Sequence, residues 1–328
     1  MADLVDQLEV MFIQEVSSYK TVDYLAPGFQ HHLEASQKRS QAQDPNILTE
    51  PFSGESSTSS GGSSSGGITE MWREKICEWY YKVIDHFDFS REIVSMAMHY
   101  LDRYLVRRVV NKRVFQLAAM SALLLAIKLN APSKLSMSSM IELSRGYFTV
   151  KQMEAMEKSI MLELDWLLHP PSVYGFIKHI LQLLPLHRTS PSILHDIVEL
   201  SRFFSEMSVI DYFFVTQRPS HIALAAIANV LQDVSASVPL ETQRDFVDLV
   251  CVLKINIEDP AIVSCRQRLR LLFSSQGRCA NASVEHVRPR STPSPVCVTY
   301  GTTTYQSQVN GTNISKSEAQ VPDRHEEL

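Results

Sequence analysis

Apolar residues recur at three- and four-residue steps through the middle of the chain, from roughly residue 70 to residue 275, and this spacing predicts helices. The most apolar helical segment is 111–130, NKRVFQLAAMSALLLAIKLN, which has almost no polar face. A helix that is apolar all round is buried on every side, so we expect this segment to be the central helix of a bundle. Its length also suits a membrane span. Lys112, Arg113 and Lys128 interrupt the apolar run, however, which favours a core helix.

Four more helical segments share residues 68–170 with this central one. They are MWREKICEWYYKVIDHF (71–87), SREIVSMAMHYLDRYL (90–105), a short stretch at 136–144, and TVKQMEAMEKSIMLELDW (149–166). Thr149 and Gln152 have the spacing of a capping box, which predicts that the last helix begins at Thr149. Pro170 and Pro171 follow that helix and end the group, since proline disfavours a helical residue before it.

Residues 171–276 repeat the same organisation. The predicted helices are SVYGFIKHILQLL (172–184), PSILHDIVELSRFFSEM (191–207), PSHIALAAIANVL (219–231), 239–254 and 260–273. The third of these has the small and aliphatic character of the 111–130 segment. The pattern therefore predicts an all-α fold: two tandem five-helix bundles, 68–170 and 171–276, with disordered N- and C-terminal tails.

Both ends of the chain are polar. Residues 1–67 form an N-terminal extension, in which 3–25 has apolar residues at helical spacing and 36–67 contains the Ser/Gly-rich linker SGESSTSSGGSSSGG, which has nothing to bury. We expect Pro27 and Gly28 to end the 3–25 helix. Two interpretations of this helix stay open: it docks on the main core, or it binds a partner. The tail at 277–328 is rich in Ser, Thr, Asn and Pro, and we expect it to be disordered.

Composition narrows the classes of function. The net charge of −5 argues against a protein that holds nucleic acid through phosphate contacts, because such proteins usually have a basic face. The N-terminus lacks the basic region of a secretory signal, so we do not expect it to be one. Cys77 and Cys251 lie in apolar helical patterns, which suits core residues and a reducing compartment. The cysteines are scattered and odd in number, without the paired spacing of a zinc site: Cys77, Cys251, Cys265, Cys279 and Cys297.

At this point the segments resemble the cyclin family. The stretch 71–170 is similar to an N-terminal cyclin box, through Arg73, Trp79 and the motifs HYLDRYL (99–105), FQLAAMSALLLAIKL (115–129) and YFTVKQMEAMEKSIMLELDW (147–166). The stretch 198–231 is similar to a C-terminal cyclin domain. The resemblance implies a two-domain, all-helical protein without catalysis of its own, which binds and activates a cyclin-dependent serine/threonine protein kinase in cell-cycle control. It implies no cofactor, no metal, no nucleic-acid or membrane partner, and a location in the nucleus and cytoplasm.

Two residues match the family's kinase contact. Lys128, at the end of the central helix, matches the kinase-binding lysine, and Glu157 in the fifth helix matches its glutamate partner. A paired lysine and glutamate hydrogen-bond polar main-chain groups of a partner helix. Without the surrounding motifs, an ordinary surface salt bridge would be the better interpretation.

Arg73 and Asp102 match a buried ion pair that braces the first two helices of the box in this family. Removing one member of such a pair would leave a buried charge without its partner, at a cost of several kcal/mol.

The resemblance also implies a docking patch for kinase substrates or inhibitors on the first helix and the start of the third. The matching residues are Ile76, Trp79, Phe115 and Gln116. The chain departs from the family pattern at Trp72, Lys75 and Lys82, where an apolar residue, another apolar residue and an acid are usual. A lysine at 82 would repel the Arg/Lys-led motifs that such patches bind. The alternative interpretation is that Trp79 belongs only to the core.

Another departure follows Lys128, where many cyclins have two acids and this chain has Leu129, Asn130 and Ala131. Residues 1–67 contain no Arg-x-x-Leu and no Lys-Glu-Asn motif of the mitotic degradation type. The subtype, G1-like or mitotic, therefore stays open, as does the identity of the kinase.

Two other classes of function compete with this interpretation. A cyclin-fold transcription-associated protein acting through protein or DNA binding is the alternative, but the chain lacks the cysteine spacing and the basic balance that a zinc ribbon and a DNA-binding face would require. An enzyme is the third class. No Gly-rich phosphate loop, nucleophile elbow, metal cluster or catalytic triad stands out in the sequence.

Overall fold

The computed structural model describes residues 2–43, 68–132, 135–184, 190–233 and 240–280. The regular elements in these ranges are helices, which confirms the predicted all-α fold. The helices are α1 Ala2–Val16, α2 Pro27–Gln43, α3 Glu70–His86, α4 Glu92–Arg107, α5 Lys112–Asn130, α6 Met137–Leu143, α7 Val150–Glu163, α8 Val173–Leu183, α9 Pro191–Ile210, the 3-10 helix Tyr212–Thr216, α10 Pro219–Asp233, α11 Leu240–Val252 and α12 Pro260–Ala280.

The first bundle, α3 to α7, is built around α5. Thirteen positions of α5 between Val114 and Ile127 are buried, all of them except the half-buried Gln116, and α4 and α7 pack against the helix. By length and composition α5 would suffice to cross a membrane, but 72% of its apolar window is buried within the protein. Asn111 caps the helix by accepting a hydrogen bond from the Val114 N–H, and Lys128 stands in its last turn.

The second bundle, α8 to α12, is built in the same way around α10. The side chains of α10 between Ile222 and Ile227 are buried among α8, α9 and α12. Small residues such as Ala223, Ala225 and Ala226 allow the surrounding helices to approach α10 closely. Two tandem five-helix bundles, each around an alanine-rich helix, are therefore the core of the molecule, as predicted.

The capping signals in the sequence mark several helix ends. At α7, the Thr149 hydroxyl accepts from the Gln152 N–H at 3.3 Å, and the Gln152 side chain accepts from the Thr149 N–H at 3.0 Å, so the predicted capping box is present. At α9, Ser190 is the N-cap and Pro191 takes the first helical position, where its missing N–H costs nothing.

The N-terminal extension is more ordered than predicted. The helix expected over 3–25 ends at Val16, and a second helix, α2, begins at Pro27, where the sequence suggested an end. Asp23 precedes it and accepts from the N–H groups of Leu25 and Ala26, which forms an Asx turn ahead of the helix. The coil predicted from residue 36 is wrong as far as Gln43. Residues 44–67 lie outside the described residues.

Helix α1 docks on the second bundle. Leu8 is completely buried in that core, and the rings of Phe12 and Phe176 lie 5.2 Å apart. The Glu15 carboxylate accepts from both the N–H and the hydroxyl of Ser220, at 2.9 and 2.6 Å, at the start of α10. Of the two interpretations of this segment, docking on the core therefore describes α1 in this structure.

At the other end, α12 continues to Ala280, four residues beyond the predicted boundary at 276. The predicted disordered tail from 281 to 328 lies outside the described residues.

Candidate functional site

Lys128 and Glu157 form an ion pair between the last turn of α5 and the middle of α7. The Lys128 Nζ lies 2.7 Å from each carboxylate oxygen of Glu157. The lysine side chain is 40% exposed and the glutamate side chain 12%. An ammonium has three donors, and a carboxylate accepts at about four positions. One Lys128 N–H and part of the Glu157 carboxylate therefore remain available to polar groups of a partner.

The residues that follow Lys128 replace charge with apolar and amide groups. Leu129 is 39% exposed. Asn130 donates from Nδ2 to the Ala126 carbonyl at 2.8 Å and contacts the Met96 sulfur at 3.2 Å. A groove between the start of α4 and the end of α5 is lined here by Phe89, Ser90, Glu92, Ile93, Met96, Asn130, Ala131 and Pro132. The departure from the family pattern thus faces a groove on the surface near the ion pair.

An exposed tryptophan, Trp166, lies in the turn after α7, and no separate sequence pattern indicated its exposure. Trp166 is 63% exposed and Leu162 is 54% exposed. Asp165 and Trp166 both have left-handed backbone, with φ of 52° and 59°, which is unusual for residues other than glycine. Arg107 pairs with Asp165 at 2.7 Å, and Arg103 donates to two main-chain carbonyls of the same turn. Contacts from α4 thus hold a strained turn that presents Trp166 to solvent.

The predicted docking residues divide between surface and core. Ile76, Trp79 and Gln116 are partly exposed. Phe115 is completely buried and packs edge-on against Trp72, with ring centroids 6.4 Å apart. The assignment of Phe115 to a surface patch is therefore wrong, because its position on α5 faces the core. Trp72 takes the outer position, with Lys112 over its ring.

Arg73 and Asp102 form a buried, doubly hydrogen-bonded pair between α3 and α4. Nε and one terminal nitrogen of Arg73 each lie 2.9 Å from a carboxylate oxygen, and the side chains are 4% and 7% exposed. Burial lowers the pKa of Arg73, but the Asp102 carboxylate outweighs burial and leaves the pKa above its ordinary value. The other terminal nitrogen donates to the carbonyls of Val209 and Ile210, so the pair also joins the two bundles.

The N-terminal segment between α1 and α2 reaches the same pair. The Tyr24 hydroxyl donates to Asp102 at 2.8 Å, and its ring meets that of Tyr212 edge-on at 5.4 Å. The Tyr212 hydroxyl in turn donates to Asp23 at 2.8 Å. The sequence pattern did not indicate these contacts. Tyr24 lies between α1 and α2, and helical spacing does not predict the contacts of a residue outside a helix.

The described residues contain no group of three His, Cys, Asp or Glu side chains that would suit a metal ion. Burial raises the pKa of the Cys77 thiol to about 12, so this cysteine stays protonated in the core.

Two family models match the chain. The model for the N-terminal domain of cyclins matches residues 52–169, and the model for the C-terminal domain of cyclins matches residues 171–285. Together they cover more than two thirds of the chain.

Relatives in sequence include plant proteins of several cyclin types. The chain is 29% identical over 160 residues to rice Cyclin-B1-1, covering 49% of this chain and 35% of the rice protein. It is 27% identical over 160 residues to soybean G2/mitotic-specific cyclin S13-7, covering 49% of this chain and 60% of the soybean protein. It is 31% identical over 171 residues to Arabidopsis Cyclin-D3-3, covering 50% and 45%. The chain thus spans between about a third and three fifths of these relatives.

Among solved structures, the fold is similar to a chain in the CAK complex of Chaetomium thermophilum bound to ATP-γ-S. The TM-score is 0.52 at 16% sequence identity, and the match covers 78% of this chain and 77% of the other. At that identity the likeness concerns the fold.

Proposed function

This chain belongs to the cyclin family, and on that premise we propose that it is the regulatory subunit of a cyclin-dependent serine/threonine protein kinase. It has no catalytic role of its own in this proposal. It acts by binding the active arrangement of the kinase more tightly than the inactive one, which shifts the kinase population. In the active arrangement a lysine, a glutamate and a metal-binding aspartate of the kinase are brought together.

The observation that carries the proposal is the exposed Lys128–Glu157 pair at the junction of α5 and α7. Each residue holds the other in place and keeps hydrogen-bonding capacity for a partner. Such a pair offers a donor and an acceptor to the main chain of a kinase helix, at a site already ordered before binding. Preorganisation of this kind reduces the entropy lost on association.

We include Leu129, Leu162 and Trp166 in the proposed kinase-binding surface. All three are exposed apolar residues at the ends of the two helices that hold the ion pair. Large aromatic side chains are enriched among the residues that dominate binding energy at interfaces. The turn that holds Trp166 outward favours a role in contact with a partner.

A role in cell-cycle control is the finer part of the proposal. It rests on the name of the soybean relative, which is mitotic-specific, and on the family resemblance. A location in nucleus and cytoplasm, and recognition of kinase substrates or inhibitors through Ile76, Trp79 and Gln116, belong to the same proposal.

The test is affinity purification of the chain from cells through a synchronised cycle, with identification and activity assay of any bound protein kinase. We expect a kinase in stoichiometric amount. Lys128→Ala combined with Glu157→Ala should lower its affinity by at least about 2 kcal/mol, or thirtyfold, as expected for charged groups buried on binding.

Arg270→Ala is the matched control, since Arg270 pairs with Asp233 at a comparably exposed position on the second bundle. Normal binding and activation by the double variant would show that the interface is wrongly assigned. If the unsubstituted chain recovers no kinase at any stage, the function is wrong. Salt-dependent DNA binding in a gel shift would then support the transcription-associated alternative.

A further inference from the structure

One face of α3 carries two tryptophans, an isoleucine and a lysine. Trp72, Lys75, Ile76 and Trp79 follow one another at helical spacing, and the start of α5 lies alongside them. We call Trp72, Lys75, Ile76, Trp79, Lys112 and Gln116 the α3 face.

The apolar part of the α3 face is anchored from below. Trp72, Ile76 and Trp79 all pack on the core of the first bundle while remaining partly exposed. The buried Phe115 supports Trp72, and the Trp79 ring lies 5.8 Å from that of Tyr80. The Tyr80 hydroxyl donates to the Ala119 carbonyl at 2.6 Å and so joins α3 to α5. The aromatic side chains are therefore fixed, and a partner would pay little entropy to order them.

The charged part of the α3 face is cationic. Lys112 places its Nζ 5.2 Å from the centre of the Trp72 ring, a cation–π contact, and its side chain remains exposed. Lys75 is also exposed, one turn after Trp72 and one turn before Trp79. Among the described residues, no carboxylate lies within ion-pair distance of either lysine. Two unneutralised cations thus lie next to the two tryptophans.

Acidic residues lie at the margin of this face. Glu78 is on its edge, one turn before Lys82, and both of these residues have interaction partners. Glu74 points to the opposite side of α3, where burial and the nearby Asp211 raise its pKa. The cations that face a ligand are therefore Lys75 and Lys112.

We propose that the α3 face binds peptide segments in which leucine or phenylalanine is flanked by aspartate or glutamate. The inference rests on the proposed function, since it names the class of substrate or inhibitor that the docking patch selects. Apolar side chains pack on Trp72, Ile76 and Trp79, while carboxylates meet Lys75 and Lys112. Gln116, one turn after Lys112, offers an amide to the peptide main chain.

Electrostatic repulsion by the two lysines disfavours peptides in which the same apolar residues are flanked by arginine or lysine. An arginine or lysine beside the same apolar residues would approach Lys75 and Lys112, and like charges placed together oppose association. The selection acts at exposed sites, so it weakens as salt is added.

The test uses two synthetic ten-residue peptides, identical in their Leu and Phe positions, one with Glu and Asp at the flanking positions and one with Arg and Lys. Fluorescence anisotropy with the full chain is measured in low and physiological salt. We expect the acidic peptide to bind at least about tenfold more tightly, with a smaller difference at higher salt.

The charge-reversed variant Lys75→Glu with Lys112→Glu should lose at least about tenfold in affinity for the acidic peptide and gain affinity for the basic one. Both lysines are exposed, and a glutamate at the first residue of α5 suits the helix dipole, so the fold is expected to persist. Lys178→Glu, an exposed lysine on α8, is the matched control and should change neither affinity.

Equal or tighter binding of the basic peptide, no binding of either peptide, or no effect of the charge reversal would each overturn the inference. A concentration-dependent dimer in size-exclusion chromatography that the charge reversal abolishes would assign the face to contact between two copies, and so also overturn it. The variant keeps Lys128 and Glu157 and should still recover the kinase. Failure of the peptide test with the kinase still bound concerns this inference alone, whereas absence of a kinase with the peptide still bound concerns the proposed function.

Discussion

Two ion pairs of the first bundle have similar chemistry and opposite environments. Arg73 with Asp102 and Lys128 with Glu157 each join two helices, each span 29 residues of sequence, and each form two hydrogen bonds of 2.7 to 2.9 Å. The side chains of the first pair are 4% and 7% exposed, and those of the second are 40% and 12% exposed. The pairs differ in what remains for other groups to contact.

The buried pair uses its hydrogen-bonding capacity within the protein. Arg73 reaches the carbonyls of Val209 and Ile210 in addition to Asp102, and Asp102 also accepts from Tyr24. The exposed pair leaves a donor and acceptor positions open to solvent. An ion pair contributes to the fold where its groups are enclosed and all their hydrogen bonds are made within the protein. It can serve recognition where the groups are ordered but keep unused donors and acceptors.

The largest expected effect comes from breaking the buried pair. Arg73→Ala leaves the Asp102 carboxylate buried with only Tyr24 as donor. It also removes the hydrogen bonds from Arg73 to the second bundle. We expect a loss of about 3 to 5 kcal/mol in the free energy of unfolding, measured by urea denaturation.

The double change Arg73→Met with Asp102→Leu is the control for this prediction. It removes both charges and keeps much of the volume, so it should be less destabilising than Arg73→Ala alone. A loss below about 1 kcal/mol for Arg73→Ala would mean that the pair behaves like an exposed one, and the comparison would fail.

A smaller effect is expected from Tyr24→Phe, which removes the third donor of the buried group. The Tyr24 ring would keep its edge contact with Tyr212, so the lost term is the hydrogen bond to the Asp102 carboxylate. We expect a loss of about 1.5 to 3 kcal/mol in the free energy of unfolding, as for hydrogen bonds to charged groups. Tyr147→Phe, at an exposed tyrosine, is the control and should change stability little. Equal effects of the two changes on the free energy of unfolding would show that the hydrogen bond from Tyr24 to Asp102 does not contribute to stability.

Helical periodicity predicted the two bundles because each central helix has its own unmistakable composition. The apolar surface of α5 leaves no solvent face, and α10 repeats it with smaller residues, so the positions of both cores follow from the chain itself. The Thr149–Gln152 capping box was predictable for a similar reason, since its hydrogen bonds are local. The pairing of Lys128 with Glu157 needed the family pattern, because the two residues lie on different helices.

Contacts that join separate parts of the chain were not predictable from local pattern. Helix α2 has a weak apolar face, and Pro27 at its start looked like an end signal although proline is also favoured in a first turn. The link from Arg73 to Val209 and Ile210 depends on how the bundles dock. Phe115 and Trp166 both lie in apolar sequence, yet Phe115 is buried within α5 and Trp166 is exposed in the left-handed turn after α7.

The pH dependence of stability gives a prediction of intermediate size for a buried group of the first bundle. The group is His99 on α4, one turn before Arg103. Burial, and then the nearby Arg103, lower the pKa of His99 to about 3, and its Nε2 has no hydrogen-bond partner among the described residues. Between pH 3 and 6.5 the unfolded chain binds the proton and the folded chain does not. Stability from this group is therefore complete above pH 6.5 and is lost as the pH falls.

We expect the chain to lose about 2 kcal/mol more than a His99→Gln variant between pH 7 and pH 5, by urea denaturation at both pH values. Taking the difference between the two proteins cancels the opposite contribution of Glu15 and Glu206. Burial raises the pKa of both carboxyls, so their contribution falls as the pH rises through those values. Parallel pH dependence of the two proteins would show that His99 accepts a proton freely in the folded state.

The smallest expected effect on stability belongs to the exposed pair, and it separates folding from recognition. Lys128→Ala and Glu157→Ala should each change the free energy of unfolding by less than about 1 kcal/mol. The attraction within an exposed ion pair is only slightly more favourable than the hydration of the two separate charges. The same variants should lose most of the kinase recovered by the unsubstituted chain. If the pair serves recognition, these variants lose kinase binding while the free energy of unfolding stays nearly unchanged. Lys128→Ala destabilising the chain as much as Arg73→Ala would instead make both pairs structural, and Lys128 would lose its place in the proposed interface.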